Sequence, residues 1–197
     1  MTTVTNVAAP TVGTARQRIL DTAFRLFYAR GLRAVGVDTI IAESGVAKAT
    51  FYKHFPAKDE LIVGYLDKVD RVWSDQLHAA ADAAGHGPAE QLVGLFDALG
   101  TACRRDGYRG CAFINAAAEA TPGTAVHNRT IAHKRAVLGW MQGLARDAGA
   151  SDPDRLARSL SLLLDGGLAS GALDADSEVA AVARATAAQL VRDELSR

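Results

Sequence analysis

The chain has 197 residues, with 22 basic and 22 acidic side chains, 49% hydrophobic residues and a formal net charge of zero. This length exceeds one small domain without reaching two large ones, and so much apolar content supports a packed core and excludes a disordered chain away from the ends. No apolar stretch approaches the roughly 20 residues of a membrane span, no basic-then-apolar leader opens the chain, and two cysteines are too few for a disulfide framework or a zinc site, so a reducing cytoplasm is the expected setting.

Residues 1–14 are polar and uncharged and are expected to form a flexible tail. Beyond them the pattern is helical throughout, with no period-two alternation and no internal repeat. Ile19, Ala23, Leu26 and Phe27 share one face of a helix over 14–30, which Gly31 ends. Short helices follow over 37–44 and 47–55, broken by Gly45 and stopped by Pro56. A long helix starts near Lys58 and runs to about Ala84, where Gly85, Gly87 and Pro88 interrupt it. Further helices are expected over 89–105, 113–120, 124–148, 153–173 and 177–196. Thr124 caps one; Asp152, with Pro153 behind it, caps the next; Asp176 or Ser177 precedes the last. The expected fold class is all-α, about nine helices. A flexible tail (1–14) precedes a smaller N-terminal unit (15–60) and a larger C-terminal unit (61–197). Charge supports the division: residues 1–60 hold eight basic and five acidic side chains, and the remainder has the opposite imbalance.

Two short helices joined at a glycine, between Val37 and Phe55, make a helix-turn-helix. Phe51 and Phe55 lie four apart and turn one face inward. The opposite face displays Lys48, Ala49, Tyr52, Lys53 and His54: small residues for close approach, and donors for base edges and phosphates.

This stretch resembles the DNA-binding domain of the TetR (tetracycline repressor) family of one-component regulators. The matching residues are Ile19, Ala23, Phe27, Gly31, Ile40, Gly45-Val46, Thr50-Phe51-Tyr52, His54-Phe55 and Lys58-Asp59-Glu60-Leu61. The resemblance implies that the helix after the turn enters the major groove, with Lys48, Tyr52, Lys53 and His54 in contact with DNA. It further implies that Thr50 touches phosphate or braces that helix, and that Lys58 touches phosphate. The chain departs from the family pattern at Ile41, Ala47, Ala49 and Ala57, where alanine, serine, glycine and a small capping residue are usual. The missing serine at Ala47 removes a cap worth about 0.5–2 kcal/mol, and Asp59 and Glu60 partly offset the missing cap at Ala57.

Leu156, Leu160, Leu163, Leu164 and Leu168 form an apolar stripe with Gly167 and Gly171 inside it, and the last helix adds Val182, Thr186 and Leu190. The expected dimer interface is Leu160, Leu164, Gly167, Leu168, Gly171, Val182, Thr186 and Leu190. The resemblance implies that these pair as a four-helix bundle with a second copy. Two heads roughly 34–36 Å apart then reach successive major grooves.

The region 89–165 mixes large apolar groups with few polar ones, as a small-molecule pocket requires. Its candidate lining is Phe96, Cys103, Phe113, Asn115, Glu119, His133 and Trp140. His127 and His133 lie six apart, so one helical face does not present both, and no metal or cofactor is expected. The expected function is a regulator, here a repressor, that leaves a near-palindromic double-stranded operator when an unidentified small molecule binds, with no membrane partner. Two alternatives stand: a redox-responsive regulator using Cys103 and Cys111, with Arg104, Arg105 and Arg109 lowering the thiol pKa, and a ligand-free architectural DNA-binding protein. An enzyme using Glu119 and His133 finds no supporting nucleophile motif or phosphate loop.

Overall fold

The computed structural model describes residues 13–174 and 178–196. The expected tail over 1–12, and the expected cap at Asp176 or Ser177, lie outside the described residues. Among the described residues there are ten helices and no strand: α1 (Ala15–Arg30), α2 (Val37–Ser44), α3 (Lys48–His54), α4 (Lys58–Ala84), α5 (Pro88–Gly94), α6 (Phe96–Cys103), α7 (Ala112–Glu119), α8 (Ala125–Asp147), α9 (Pro153–Leu173) and α10 (Val179–Leu195). No helix among them is long and apolar enough to cross a membrane.

The helix starts follow their caps. Thr14 accepts from Gln17 N (3.2 Å), Thr124 from His127 N (3.3 Å), and Asp152 from Arg155 N (3.0 Å) with Pro153 in the first turn. Neither Ala47 nor Ala57 provides a side-chain cap. Gly45 ends α2 at φ 63°, ψ 31°, a left-handed conformation that glycine adopts without a Cβ penalty. The expected helix over 89–105 is two segments that bend at Leu95: α5 packs on α4 and α8, and α6 turns toward α9 and α10.

α1 packs on α2, α3 and α4 to form the N-terminal head. Ile19, Leu26, Ile40 and Phe51 are almost fully buried there. Leu61, Ile62 and Tyr65 of α4 belong to the same cluster, and Tyr65 meets Phe24 and Phe27 edge-on at centroid distances of 5.8 and 5.6 Å. The core therefore continues from the head into the rest of the chain through the first two turns of α4, across the boundary expected at residue 60.

Gly94 lets α5 press onto the last turn of α4. A Cβ there would collide with the Ala84 methyl and lie 3.0 Å from the Ala80 carbonyl oxygen. Gly94→Ala gains helix propensity but forces this contact apart. We expect it to lower the unfolding free energy by about 1–2 kcal/mol in denaturant titrations; a stabilised variant would contradict the close approach.

Candidate functional site

α3 presents the face its spacing predicts. Phe51 and Phe55 are buried, and their rings lie 6.3 Å apart against the head core. Lys48, Ala49, Tyr52 and Lys53 are exposed on the other side, and Thr50 and His54 are half-buried beside them. The Tyr52 ring meets Phe51 edge-on at 5.3 Å, which fixes it while leaving the side chain 43% exposed. Lys48 has only a distant, exposed partner, Asp38 at 3.5 Å, a pairing of little strength. Lys53 makes no ion pair with any described residue. The other cations of the head are largely committed: Arg25 and Arg30 to Glu43, Arg16 over the Phe55 ring, Arg18 to the Gly13 carbonyl. The basic excess seen in composition is thus available mainly at α3.

Lys58 does not join this face. Its ammonium donates to the Leu32 carbonyl oxygen at 2.6 Å, because the first turn of α4 points toward the α1–α2 connection. The phosphate contact expected of Lys58 therefore competes with this hydrogen bond. The same connection is held from the other side by Glu119, at the end of α7. Its Oε1 accepts from Leu32 N (3.0 Å) and its Oε2 from Arg33 N (2.7 Å), while the Arg33 guanidinium donates twice to the Glu119 carbonyl oxygen (3.1 and 2.9 Å). Gly31, at φ 89°, makes room for this: a Cβ there would stand 2.9 Å from Oε1. At the opposite end of α7, Tyr28 accepts from Arg109 N (3.0 Å) and donates to the Gly110 carbonyl (3.2 Å), and Arg109 donates to the Ala29 carbonyl. The head is therefore tied to α7 at both ends.

Beside the Tyr28 tie lies a cavity of about 220 Å³, bounded by Phe24 and Tyr28 of α1, by Val69, Val72, Trp73 and Gln76 of α4, by Ala102 and Leu168, and by the stretch Arg105 to Phe113. Of the seven residues expected to line a pocket, Phe113 lines this cavity, and Asn115 and Glu119 line a neighbouring one of about 270 Å³ with Phe27, Leu32 and Tyr65; Phe96, Cys103, His133 and Trp140 line neither. Phe96 is buried in the core. Cys103 lies against Gly171 and Tyr108, and Asn115 is exposed and donates to the Arg109 carbonyl at 2.9 Å. Both carboxylate oxygens of Glu119 are occupied as described. Trp140 packs on His78 at a centroid distance of 4.1 Å, outside this cavity. The missed wall was visible as Val69, Val72, Trp73 and Gln76, which follow i, i+3, i+4, i+7 along α4.

His133 sits behind Phe113, stacked at 3.6 Å and 7°. Burial drives its pKa down, against the pull of Asp70. The ring is neutral at pH 7, and its Nδ1–H donates to Asp70 Oδ1 at 2.5 Å, the carboxylate being acceptor only. Burial pushes the Asp70 carboxyl up, but hydrogen bonds from Arg129 and His133 outweigh it and hold the group below its usual range. Arg129 also reaches Asp67 at 2.6 Å. Burial raises the Cys103 thiol pKa, with Tyr108 and Arg104 pulling the other way. Among the described residues no group of three or more His, Cys, Asp or Glu could hold a metal ion.

The stripe expected to form a dimer interface faces inward. Leu160, Leu164 and Leu168 are buried in their own chain; a Cβ on Gly167 would strike Leu99, and one on Gly171 would strike Cys103. The glycines do permit close helix approach, but to α6 of the same chain. Leu190 is half-buried, whereas Val182 and Thr186 are exposed. The outward stripe of α9 is Leu162 (74% exposed), Gly166, Ala169 and Leu173 (90% exposed), set at i, i+4, i+7 and i+11.

Glu119→Ala removes both acceptors from the α1–α2 connection, so the Leu32 and Arg33 amides should exchange with solvent at least tenfold faster while α9 amides keep their protection; unchanged exchange would show the clamp to be idle. Acidification should act through His133. Its folded pKa lies below the unfolded value of about 6.5, so its stabilisation is full above that pH and is lost as pH falls through the folded value, with Asp70 adding a further loss below about 3.9. His133→Gln should flatten the dependence of unfolding free energy on pH between 7 and 5; an identical slope would remove His133 from that role.

Residues 19–64 match the family described as "Bacterial regulatory proteins, tetR family". The structure superposes on that of a TetR-family transcriptional regulator from Streptomyces coelicolor with a TM-score of 0.85 and 37% identity, covering 92% of this chain and 96% of that one. Over 89 residues the chain is 35% identical to the HTH-type transcriptional repressor KstR2 of Mycobacterium tuberculosis, a match spanning 43% of this chain and 42% of that protein. Over 88 residues it is 42% identical to the HTH-type transcriptional regulator LmrA of Bacillus subtilis, spanning 44% of this chain and 46% of that protein. The chain thus spans under half the length of these two curated relatives, and matches the Streptomyces coelicolor structure over nearly all of its length. With an exposed basic helix after a glycine turn, the same helix order throughout and this degree of identity, the chain belongs to the TetR family of helix-turn-helix transcriptional regulators.

Proposed function

We propose that two copies of this chain repress transcription by binding a near-palindromic operator, and leave it when a small molecule fills the cavity between α1, α4 and α7. The observation that carries this is the tie of the head to α7, whose first residues also wall the cavity. Residues 15–60 with the opening turns of α4 read the operator, and the remainder binds the effector and the second copy. Lys53, Lys48 and Tyr52 serve phosphates and base edges from α3, Ala49 permits close approach, and Thr50 and His54 flank them. The second copy pairs through the outward stripe of α9, Leu162 to Leu173, together with Val182 and Thr186 of α10.

In this reading the effector acts by wedging. It meets Phe24 and Tyr28 of the head on one side and Phe113 of α7 on the other, so occupancy changes the angle at which α1 leaves the body. That angle sets the separation of two recognition helices, and a ligand shifts it only by its differential affinity for the two arrangements. Burial at Cys103 works against the thiolate that the redox alternative needs. An architectural role gives the cavity no purpose.

The test is selection of bound duplexes from a random library, followed by salt titration on the best site. A near-palindrome bound far above competitor DNA is expected. Lys53→Ala should weaken binding to specific and competitor DNA alike and reduce the slope of log K against log salt by about 1. Recovery of no preferred sequence would overturn the regulator mechanism, and an unaltered slope would remove Lys53 from phosphate contact.

A further inference from the structure

The cavity selects a chemical class as well as a size. Five of its walls are aromatic: Phe24, Tyr28, Trp73, Tyr108 and Phe113. The two tyrosine hydroxyls are already used, Tyr28 on the backbone at Arg109 and Gly110, and Tyr108 on the Leu168 carbonyl at 2.9 Å. Both hydroxyl protons are therefore committed, and the tyrosines offer chiefly ring faces. The lining side chains left without an ion pair or hydrogen bond among the described residues include the Trp73 indole N–H, Gln76, Arg105 and Asp106, the last two exposed at the mouth.

The charge at that mouth is positive. The segment 104–109 holds Arg104, Arg105 and Arg109 against one carboxylate, Asp106. Arg109 is spent on the Ala29 carbonyl, which leaves Arg105 as the cavity-lining guanidinium without a partner. Burial raises the Tyr28 pKa and Cys111 adds to it, while the Arg109 amide and the Arg105 and Arg109 charges pull it down. A cationic guest would have to approach this cluster with Asp106 as its one anionic partner. A guanidinium instead matches a carboxylate with two parallel N–H···O bonds. The cavity, about 220 Å³, lies below the roughly 300 Å³ at which drug-sized sites begin. That favours one or two fused rings.

We propose that the cavity takes a planar aromatic carboxylate, its rings against Phe24, Trp73 and Phe113 and its carboxylate on Arg105. This deepens the effector reading given above and rests on it for its regulatory meaning, although binding itself is measured without DNA.

The chain's two tryptophans supply the readout, because Trp73 lines the cavity and Trp140 does not. The full chain, labelled with 15N-tryptophan, gives two indole N–H signals, assigned with Trp140→Phe. Three probes of one shape are titrated at pH 7.5: 2-naphthoate, 2-naphthylmethanol and 2-naphthylmethylammonium. We expect 2-naphthoate to move the Trp73 signal saturably, with a Kd at least tenfold below those of the other two, and to leave Trp140 nearly still. Arg105→Gln should bring the naphthoate Kd to that of the neutral probe, and Asp106→Asn should leave it equal or tighter. Ammonium binding as tight as carboxylate, a preference that survives Arg105→Gln, or no saturable shift with 2-naphthoate up to millimolar concentration would each overturn the proposal. Failure here leaves operator selection untouched, and failure of operator selection leaves a measured Kd standing, so the two readings fail separately.

Discussion

Two backbone N–H groups and one carboxylate fix how the head sits on the body. The turn after α1 leaves the amides of Leu32 and Arg33 without helical partners, and Glu119 accepts from both. Hydrogen bonds to a charged acceptor contribute about 1.5–3 kcal/mol each when sheltered, and less here, where Arg33 is exposed. Even discounted, the pair is comparable to the small free-energy differences on which a two-state regulator runs. The return contact, Arg33 onto the Glu119 carbonyl, means that neither element shifts without breaking bonds on both. Lys58 closes the same turn from α4. A connection that would otherwise be a hinge is thereby clamped between α4 and α7.

The clamp matters because α7 is short and seated at both ends. One end carries Glu119; the other follows the Gly110 carbonyl that accepts from Tyr28. Phe113 lies between, with one ring face available to the cavity and the other stacked on His133. Behind that stack, Asp70 binds His133 and Arg129, joining α4 to α8. A molecule that displaces Phe113 thus disturbs the attachment of α4 to α8 and the attachment of α7 to the head together. Packed interiors pass on such displacements because they lack the free volume to absorb them.

The head and the helix order were legible in the sequence because local signals agreed there: Gly45 at the turn, Phe51 and Phe55 on one face, Thr124 and Asp152 at helix starts. Local periodicity says which residues share a face, not what that face meets. Lys58 belongs to the family pattern, yet its four-carbon stem reaches the nearer acceptor, a carbonyl made available by the α1–α2 turn. Glu119 reads as a pocket acid from composition, but only the fold sets it 3.0 Å from Leu32 N, 87 positions away in the chain. The cavity residues of α1 were hidden for the same reason. Phe24 and Tyr28 look like a second apolar edge of the head until α4 and the 105–113 stretch are laid against them.

The two stripes of α9 show the limit most clearly. Leu160, Leu164 and Leu168 are offset by only one or two positions from Leu162, Gly166 and Ala169, and either set alone would satisfy a helical repeat. Burial separates them: the first packs under α6, where Gly167 and Gly171 admit Leu99 and Cys103, and the second is left in solvent. Leaving Leu162 and Leu173 so exposed forgoes about 1.5–3 kcal/mol each relative to full burial. A second copy offering the same stripe would recover part of that by symmetry, since an isologous contact counts each residue twice. The glycines that first suggested an interface between chains are thus what let one chain close on itself, and closing turns the other stripe outward.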